Sequence, residues 1–269
     1  MLKVRKKNFP VRFLLTRMGS STRARATAIL SAAILPMFVV AAHACGTSGA
    51  LGTSRVLKVD TSTTVGFGRP FAALPLSRDE IVLTFDDGPA SGSTPQILDI
   101  LARECVQATF FMIGKRAEAE PQLVARVRDG GHTIGSHSYS HRNLDTLPPE
   151  QAIADIQRGY EAVERAAFGP SRGEDRARLF RFPSYKWTPA LISFIRTRKG
   201  TVASWDISSE DWRGEAPEVT MERVRRLLDR RGRGVLSLHD NQKNTVAMLP
   251  MVIAEIRLRG MRIVHLVPK

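Results

Sequence analysis

Short apolar segments alternate with amphipathic segments along most of this chain, and this alternation limits the possible folds more than any other feature of the sequence. The predicted strands cover residues 80–85, 108–113, 132–135, 179–182, 201–205, 235–238 and 262–266. The predicted helices cover residues 95–104, 121–129, 149–167, 189–198, 217–231 and 245–259. Proline opens several helices and glycine follows their ends, as with Pro121 and Gly130. A regular strand–helix–strand succession predicts a parallel sheet covered by helices.

The first 44 residues differ from the rest in composition. Residues 1–25 contain eight Lys or Arg and no acidic residue, and residues 26–44 contain no charged residue and end in Ala42-His43-Ala44. A basic flank, an apolar stretch and a small-x-small ending are typical of an export signal. We therefore predict that residues 1–44 are a signal peptide or, alternatively, an uncleaved membrane anchor. Both predict an exported protein of the periplasm or cell envelope that contacts the membrane at least during export.

The formal net charge of +14 suggests a polyanionic partner at first sight. Eight of these charges lie in residues 1–25, which leaves +6 for the rest of the chain. One further basic cluster, residues 222–233, contains none of the aromatic residues that base stacking would need. We predict no nucleic-acid partner, and we expect a monomer.

The middle of the chain divides at about residue 78. Residues 45–77 are rich in Gly, Ser and Thr and show no long periodic pattern, so we predict a linker and lead-in there and a folded domain over 78–269. Cys45 and Cys105 are the only cysteines. Cys105 ends an apolar helical pattern, which favours a small buried hydrophobic residue over a disulfide partner.

Polar residues follow the predicted strands where each strand ends. They are Asp86 and Asp87, His137 and His141, Arg181, residues 206–212, and His239. Because the carboxyl ends of parallel strands form one face, we expect these side chains to meet at one rim. Two other histidines, His132 and His265, are predicted to be structural.

Two of these groups suggest metal chemistry. Asp86 and Asp87 would point in different directions on a continuing strand, so that one can bind a cation while the other accepts a proton. His137 and His141 would lie on one side of a helical turn. Two histidines and a carboxylate form a three-ligand site with open positions. A plain turn at Asp86-Asp87, an exposed histidine pair, and a non-haem iron oxygenase site remain alternatives.

Five segments together resemble the ordered motifs of the polysaccharide deacetylase (NodB-homology) family, carbohydrate esterase family 4. They are Thr84–Pro89 (TFDDGP), His137–His141 (HSYSH), Arg181–Pro183, Asp211-Trp212 and Leu236–His239. The resemblance covers roughly residues 78–268. It implies a distorted (β/α)7 barrel and metal-dependent removal of acetyl groups from N-acetylated sugar polymers.

The resemblance also implies a role for each matching residue. The metal ligands would be Asp87, His137 and His141, and the cofactor a divalent ion, with Zn²⁺ favoured over Co²⁺, Ni²⁺ or Mn²⁺. The acid–base groups would be Asp86 as general base, Arg181 holding that base, His239 as general acid, and Asp211 orienting that histidine.

Predicted substrate contacts follow from the same motifs, with two departures. Ser184-Tyr185 stands where the family usually has Tyr-Gly after the proline, and Ser208 replaces the first Asp of the fourth motif. The backbone N–H of Ser184 and the Tyr185 side chain are predicted to contact the substrate. Trp212 is predicted to line the groove and Leu238 to surround the acetyl methyl group, with core packing as the alternative for both.

The function expected from this resemblance is deacetylation of N-acetylglucosamine-containing glycans such as peptidoglycan or chitin-like oligosaccharides. An O-acetyl xylan esterase and a small-molecule amidase would use the same site. A glycan-binding protein without turnover is an alternative from another class. Its weakness is that a binding module has no use for the acid–base residues.

Overall fold

The computed structural model describes residues 49–66, 68–170 and 177–269, all within the compact unit Ala44–Lys269. The predicted signal peptide or anchor over residues 1–44 lies outside the described residues. Within the described ranges, no helix has both the length and the apolar character needed to cross a membrane.

Strands and helices alternate along the described chain. The strands are β1 (Thr53–Val59), β2 (Thr64–Val65), β3 (Glu80–Asp86), β4 (Thr109–Met112), β5 (Thr133–Ser136), β6 (Leu179–Phe180), β7 (Thr201–Ala203), β8 (Ile207–Ser208), β9 (Gly234–His239) and β10 (Arg262–Pro268). The helices are α1 (Thr94–Arg103), α2 (Gly114–Ala119), α3 (Pro121–Asp129), α4 (Pro149–Phe168), α5 (Pro189–Thr197), α6 (Pro217–Arg231) and α7 (Lys243–Leu258). Short 3-10 turns lie at Leu144–Thr146, Pro183–Tyr185 and Asp211–Arg213.

All of these strands pair in parallel, and β3 is the centre of the sheet. It pairs with β9 over Ile81–Asp86 and with β4 over Thr84–Asp86. The ladder continues from β4 through β5, β6 and β7 to β2, while β8 pairs with β9 on the other side. β7 and β8 are consecutive in the chain but do not pair with each other, so the barrel is distorted and its ladder is open there. The predicted α/β fold is confirmed.

Two apolar clusters hold the sheet, one on each side of β3. Ile81, Leu83 and Phe85 belong to the cluster under the helices, whereas Val82 belongs to a cluster of strand residues on the opposite face. Strand residues alternate between faces, so Asp86 shares the face of Val82. All seven residues of β3 are buried, as expected for a strand covered on both faces. β3 therefore delivers Asp86 to the buried inner face at the carboxyl end of the sheet.

The predicted linker contains two strands that sequence analysis missed, β1 and β2, and β2 pairs with β7. β1 pairs with β10 from Arg55 to Val59, and Arg55 forms an ion pair with the buried Glu80 at 2.7 Å. The apolar alternation of β1 is weak in the sequence, because the inward residues Thr53 and Arg55 are polar and the outward Val56 is exposed. A segment predicted to be irregular is thus part of the folded sheet.

Cys105 also differs from its prediction. It is disulfide-bonded, whereas the apolar helical pattern before it favoured an unpaired buried side chain. Cys105 lies outside α1 and has a positive φ of 57°, so the helical pattern does not extend to it.

Candidate metal centre and active site

Asp87, His137 and His141 meet at the carboxyl ends of β3 and β5. Asp87 Oδ1 lies 3.1 Å from His141 Nε2 and 3.5 Å from His137 Nε2, and one ligand atom from each residue lies within 4.8 Å of the others. Asp87 Oδ1 is buried and has no hydrogen-bond partner. A buried carboxylate oxygen facing two imidazole nitrogens is unfavourable unless a cation completes the group, so these residues fit a divalent ion.

The local electrostatics agree with that conclusion. Burial alone would raise the pKa of Asp87, but contact with His141 and the charges of His137 and His141 outweigh burial and lower the pKa below its ordinary value. Burial also lowers the pKa of His137, partly opposed by Asp86 and Asp87. An ionised carboxylate and a neutral imidazole are the forms that bind metal ions.

The loop from His137 to His141 reaches this geometry without a helix, so the predicted helical turn is wrong. Ser138 and His141 have positive φ angles of 64° and 59°, and His141 N donates to Ser138 Oγ at 3.1 Å. Asp155 on α4 accepts hydrogen bonds from the backbone of Tyr139 at 2.9 Å and Ser140 at 3.2 Å. A loop held by α4 brings the two imidazoles together, with ring centroids 5.0 Å apart.

The tautomer of His137 follows from its second nitrogen. His137 Nδ1 lies 2.7 Å from the backbone carbonyl oxygen of Arg181. A carbonyl oxygen can only accept, so Nδ1 carries the proton and donates it. Nε2 is then unprotonated and faces Asp87, which is the arrangement typical of a metal-binding histidine.

Asp86 is held in place by Arg181. Arg181 Nη1 donates to Asp86 Oδ1 at 2.8 Å and to Thr84 Oγ1 at 2.8 Å, and Ser237 Oγ donates to Asp86 Oδ2 at 3.1 Å. The guanidinium is fully buried, and burial lowers the pKa of Arg181, opposed by Asp86. The remaining N–H groups donate to the carbonyls of Ala203 at 3.3 Å and Ser204 at 3.0 Å. Arg181 therefore fixes the carboxylate and spans the sheet towards the end of β7.

His239 faces the same rim from β9 and is paired with Asp211. Residues Asp86 and His239 are register partners in the β3–β9 ladder. His239 Nδ1 lies 2.6 Å from Asp211 Oδ1, and His239 N donates to Asp211 Oδ2 at 2.8 Å. Burial would lower the pKa of His239, but Asp211, Asp86 and Asp87 outweigh it and raise the pKa to about 9. The imidazole is thus protonated near neutral pH, unless a bound cation offsets part of this effect.

Two residues to which the sequence motifs gave no role, Gly88 and Asp240, shape the loop of Asp87. Gly88 packs so closely on the buried Asp240 that a Cβ at residue 88 would lie 2.0 Å from Asp240 Oδ2. Asp240 N donates to the carbonyl of Asp86 at 3.1 Å, and Thr94 Oγ1 donates to Asp240 Oδ2 at 2.7 Å. Asp87 itself has a φ of 75°, so the strand geometry assumed for Asp86-Asp87 ends at Asp86. The adjacent His239-Asp240 pair was a sequence signal for this contact.

The four predicted substrate contacts have different surroundings. Ser184 is exposed with a φ of 50°, and Trp212 is 55% exposed. Tyr185 is half-buried and its hydroxyl accepts a hydrogen bond from Ser204 Oγ at 2.7 Å. Leu238 has no exposed surface and belongs to the core. The structure therefore favours the core alternative for Leu238 and leaves Ser184 and Trp212 open to a ligand.

Three other polar residues are structural. Asp206 Oδ2 accepts a hydrogen bond from Val235 N at 2.7 Å at the beginning of β9. His132 Nδ1 accepts from Ala108 N at 3.1 Å, and His265 Nε2 lies 2.8 Å from Thr133 Oγ1. The structural prediction for both histidines is confirmed.

A parallel α/β sheet that carries this Asp-His-His cluster beside a carboxylate and an imidazole is consistent with the class of metal-dependent hydrolases. Comparison with known proteins narrows the class. Residues 74–197 match the model of the polysaccharide deacetylase family. A peptidoglycan-N-acetylglucosamine deacetylase of Bacillus cereus is 31% identical over 71% of this chain and 88% of its own length. A chitooligosaccharide deacetylase of Azorhizobium caulinodans is 28% identical over 70% of this chain and 93% of its own length.

A solved structure agrees with these relatives. The peptidoglycan deacetylase of Bdellovibrio bacteriovorus superimposes with a TM-score of 0.72 at 30% identity, covering 82% of this chain and 61% of that one. This chain belongs to the polysaccharide deacetylase family, as its motifs predict, and it is an enzyme of the deacetylase class.

Proposed function

We propose that this protein is an exported, divalent-metal-dependent hydrolase that removes N-acetyl groups from glycans containing N-acetylglucosamine. The observation that carries the proposal is the meeting of three groups at one rim: the Asp87-His137-His141 cluster, the Arg181-held Asp86, and the Asp211-held His239. Relatives named as peptidoglycan and chitooligosaccharide deacetylases support this choice of substrate class.

Asp87, His137 and His141 would hold the ion, and Zn²⁺ suits two imidazoles and a carboxylate. When bound, the ion polarises the acetamide carbonyl and lowers the pKa of water, to about 7 in the case of Zn²⁺. Asp86 has no ligand role in this arrangement, so it is the group that accepts the proton of the attacking water. The Arg181 contact keeps Asp86 in one rotamer while it does so.

The leaving amine needs a proton, and His239 supplies it. Asp211 Oδ1 lies 2.6 Å from His239 Nδ1 and keeps the proton on that nitrogen. Nε2 is therefore the atom that gives its proton to the nitrogen of the breaking amide bond. Asp211 in turn is fixed by Thr245 Oγ1. The backbone N–H of the exposed Ser184 is the proposed donor to the developing oxyanion.

The proposed location rests on sequence and on one structural feature. Residues 1–44 have the composition of an export signal, and Cys105 is disulfide-bonded. Disulfides persist in oxidising compartments outside the cytosol. Mass spectrometry of the mature N-terminus tests whether residues 1–44 are removed.

Acetate release from N-acetylglucosamine oligomers and from peptidoglycan tests the proposed reaction. We expect release that chelation abolishes and Zn²⁺ restores, and a loss of at least about a hundredfold in kcat for Asp86→Asn and His239→Ala. Asp99→Asn, which changes an exposed carboxylate on α1, is the matched control. Acetate release that survives both chelation and Asp86→Asn would refute the mechanism, and binding of these glycans without turnover would favour the glycan-binding alternative.

A further inference from the structure

A cavity that none of the metal-cluster residues lines is found beside α5. Its volume is about 370 Å³, and it lies between the segment after β2 and the beginning of α5. Arg69 comes after β2, and Trp187 comes after β6. Arg196 lies in the last turn of α5 and contacts Thr64 at the beginning of β2. The cavity therefore extends along α5 from Trp187, in the loop that follows Arg181, to the beginning of β2.

Positive charge dominates this cavity. Arg69 and Arg196 line it, and none of its lining residues is acidic. Arg196 Nη2 contacts Thr64 Oγ1 at 3.5 Å, and no ion pair to a described carboxylate is present at either guanidinium. Other exposed arginines, such as Arg262 with Asp79, do have such a partner. Two guanidinium groups beside one cavity are therefore available to a ligand.

The remaining wall is apolar and aromatic. Trp187 is half-buried and lines the cavity together with Ile192 and Pro189. Phe71 packs edge-on against Trp187, with ring centroids 6.1 Å apart. An indole held by a neighbouring ring offers a flat surface of the kind that packs against the apolar face of a sugar ring.

Aromatic contacts connect this wall with the active site. Phe71 stacks on Tyr185 at 5.4 Å, and the Tyr185 hydroxyl accepts a hydrogen bond from Ser204. The carbonyl of Ser204 accepts a hydrogen bond from Arg181, the residue that holds Asp86. Tyr185 and Trp187 are both half-buried residues of the loop between β6 and α5, so a glycan that extends from the metal cluster past Tyr185 would reach Trp187.

We propose that the Arg69-Trp187-Arg196 cavity is a subsite for a carboxylate-bearing unit of the glycan. Trp187 contacts the sugar ring, and the two guanidinium groups bind the carboxylate by charge-assisted hydrogen bonds. This inference rests on the proposed deacetylase function and specifies its substrate. The subsite favours peptidoglycan strands, whose substituents carry carboxylates, over uncharged chitooligosaccharides.

The test compares two substrates in the double variant Arg69→Gln/Arg196→Gln. For a peptidoglycan glycan fragment that carries its peptides, we expect KM to rise about tenfold and kcat to stay unchanged, because the lost contacts lie far from the reacting bond. For N-acetylglucosamine pentamer, KM and kcat should both stay as in the wild type. Arg226→Gln, which removes an exposed positive charge on α6, is the matched control and should alter neither substrate.

A binding measurement separates this inference from the proposed function. Calorimetric titration of the peptidoglycan fragment into the protein needs no turnover, and the double variant should bind about tenfold more weakly than the wild type and Arg226→Gln. Equal affinity in wild type and double variant, or an equal loss for the fragment and the uncharged pentamer, would overturn the subsite. Weakened fragment binding in a protein that releases no acetate would support the subsite and refute the deacetylase function.

Discussion

At the scale of single residues, the site depends on side chains that fixed partners hold in place. His137 donates to a carbonyl oxygen, Asp86 accepts from Arg181, and His239 contacts Asp211. Each partner is buried or part of the backbone.

Asp211→Asn should move the pH profile of the reaction. His239 must be protonated to act as the acid, so activity falls as the pH rises through its pKa, which Asp211 helps to raise to about 9. Without that carboxylate, burial lowers the pKa, and the basic limb of the kcat profile should shift at least one pH unit lower. The profile of the metal-loaded enzyme gives the measurement, with Asp99→Asn as control. An unchanged basic limb would mean that Asp211 does not set the protonation of His239.

Gly88→Ala should disturb metal binding. Its Cβ would lie 2.0 and 2.2 Å from the carboxylate oxygens of Asp240, so the backbone beside Asp87 or the Asp240 side chain has to move. We expect Zn²⁺ affinity at least about tenfold weaker, together with about 1–3 kcal/mol less stability, measured by chelator competition and by denaturant unfolding.

Gly92→Ala is the matched control for Gly88→Ala. A Cβ at Gly92 meets no atom within 4 Å, so this variant should behave as the wild type. If Gly88→Ala bound Zn²⁺ as the control does, the close packing of Asp240 on this loop would have no functional effect.

At the scale of elements, α4 supports the metal-binding loop, and a glycine makes the contact possible. A Cβ at Gly159 would lie 2.4 Å from the carbonyl carbon of Ser138 and 2.7 Å from Tyr139 N. Helical propensity alone favours Ala over Gly by about 1 kcal/mol. Close approach of the loop therefore determines which residue this position tolerates.

Gly159→Ala should destabilise the protein, although alanine is ordinarily preferred over glycine within a helix. We expect the variant to lose about 1–3 kcal/mol of stability and to bind Zn²⁺ more weakly, because the loop of His137 and His141 is displaced. Denaturant unfolding of the metal-free protein and chelator competition measure the two effects. Gln157→Ala, at an exposed position of α4, is the control and should be neutral or slightly stabilising. A stabilised Gly159→Ala with unchanged metal affinity would contradict the support by α4.

Sequence patterns predicted the elements better than the contacts between them. Helices α3 and α6 end where their proline and glycine signals place them, because those signals act locally. β1 and β8 were missed because their pairing with β10 and β9 is non-local. The residues of the metal cluster were found by the order of their motifs, but the left-handed loop of His141 and the packing of Asp240 on Gly88 depend on tertiary contacts that no short pattern carries.

At the scale of the whole molecule, the half-buried His132 and the buried His265 make the stability sensitive to acid. Burial lowers the pKa of His132 to about 4, with a contribution from the charge of His265, and burial lowers the pKa of His265 to about 4. Unfolded histidine has a pKa near 6.5. The unfolded state therefore binds more protons between pH 6.5 and 4, so stability is present above pH 6.5 and falls as the pH drops towards 4.

When the pH falls from 7 to 5, the lowered pKa of each of these histidines should reduce the free energy of unfolding by about 2 kcal/mol. Denaturant unfolding of the metal-free protein at both pH values measures the loss. His132→Gln and His265→Gln should each be less stable at pH 7 but should lose less stability on acidification than the wild type. Equal losses in wild type and variants would show that neither histidine is buried in its neutral form.

Arg181 has a consequence for how this enzyme can change over time. Its carbonyl oxygen orients one metal ligand while its guanidinium orients the proton acceptor. The two halves of the reaction centre are thus aligned by a single position between two short segments of chain. Adaptation to a new substrate is free to reshape residues outside this centre. A substitution at residue 181 would remove the guanidinium that orients Asp86, whereas the carbonyl oxygen that orients His137 belongs to the backbone and is present with any residue there.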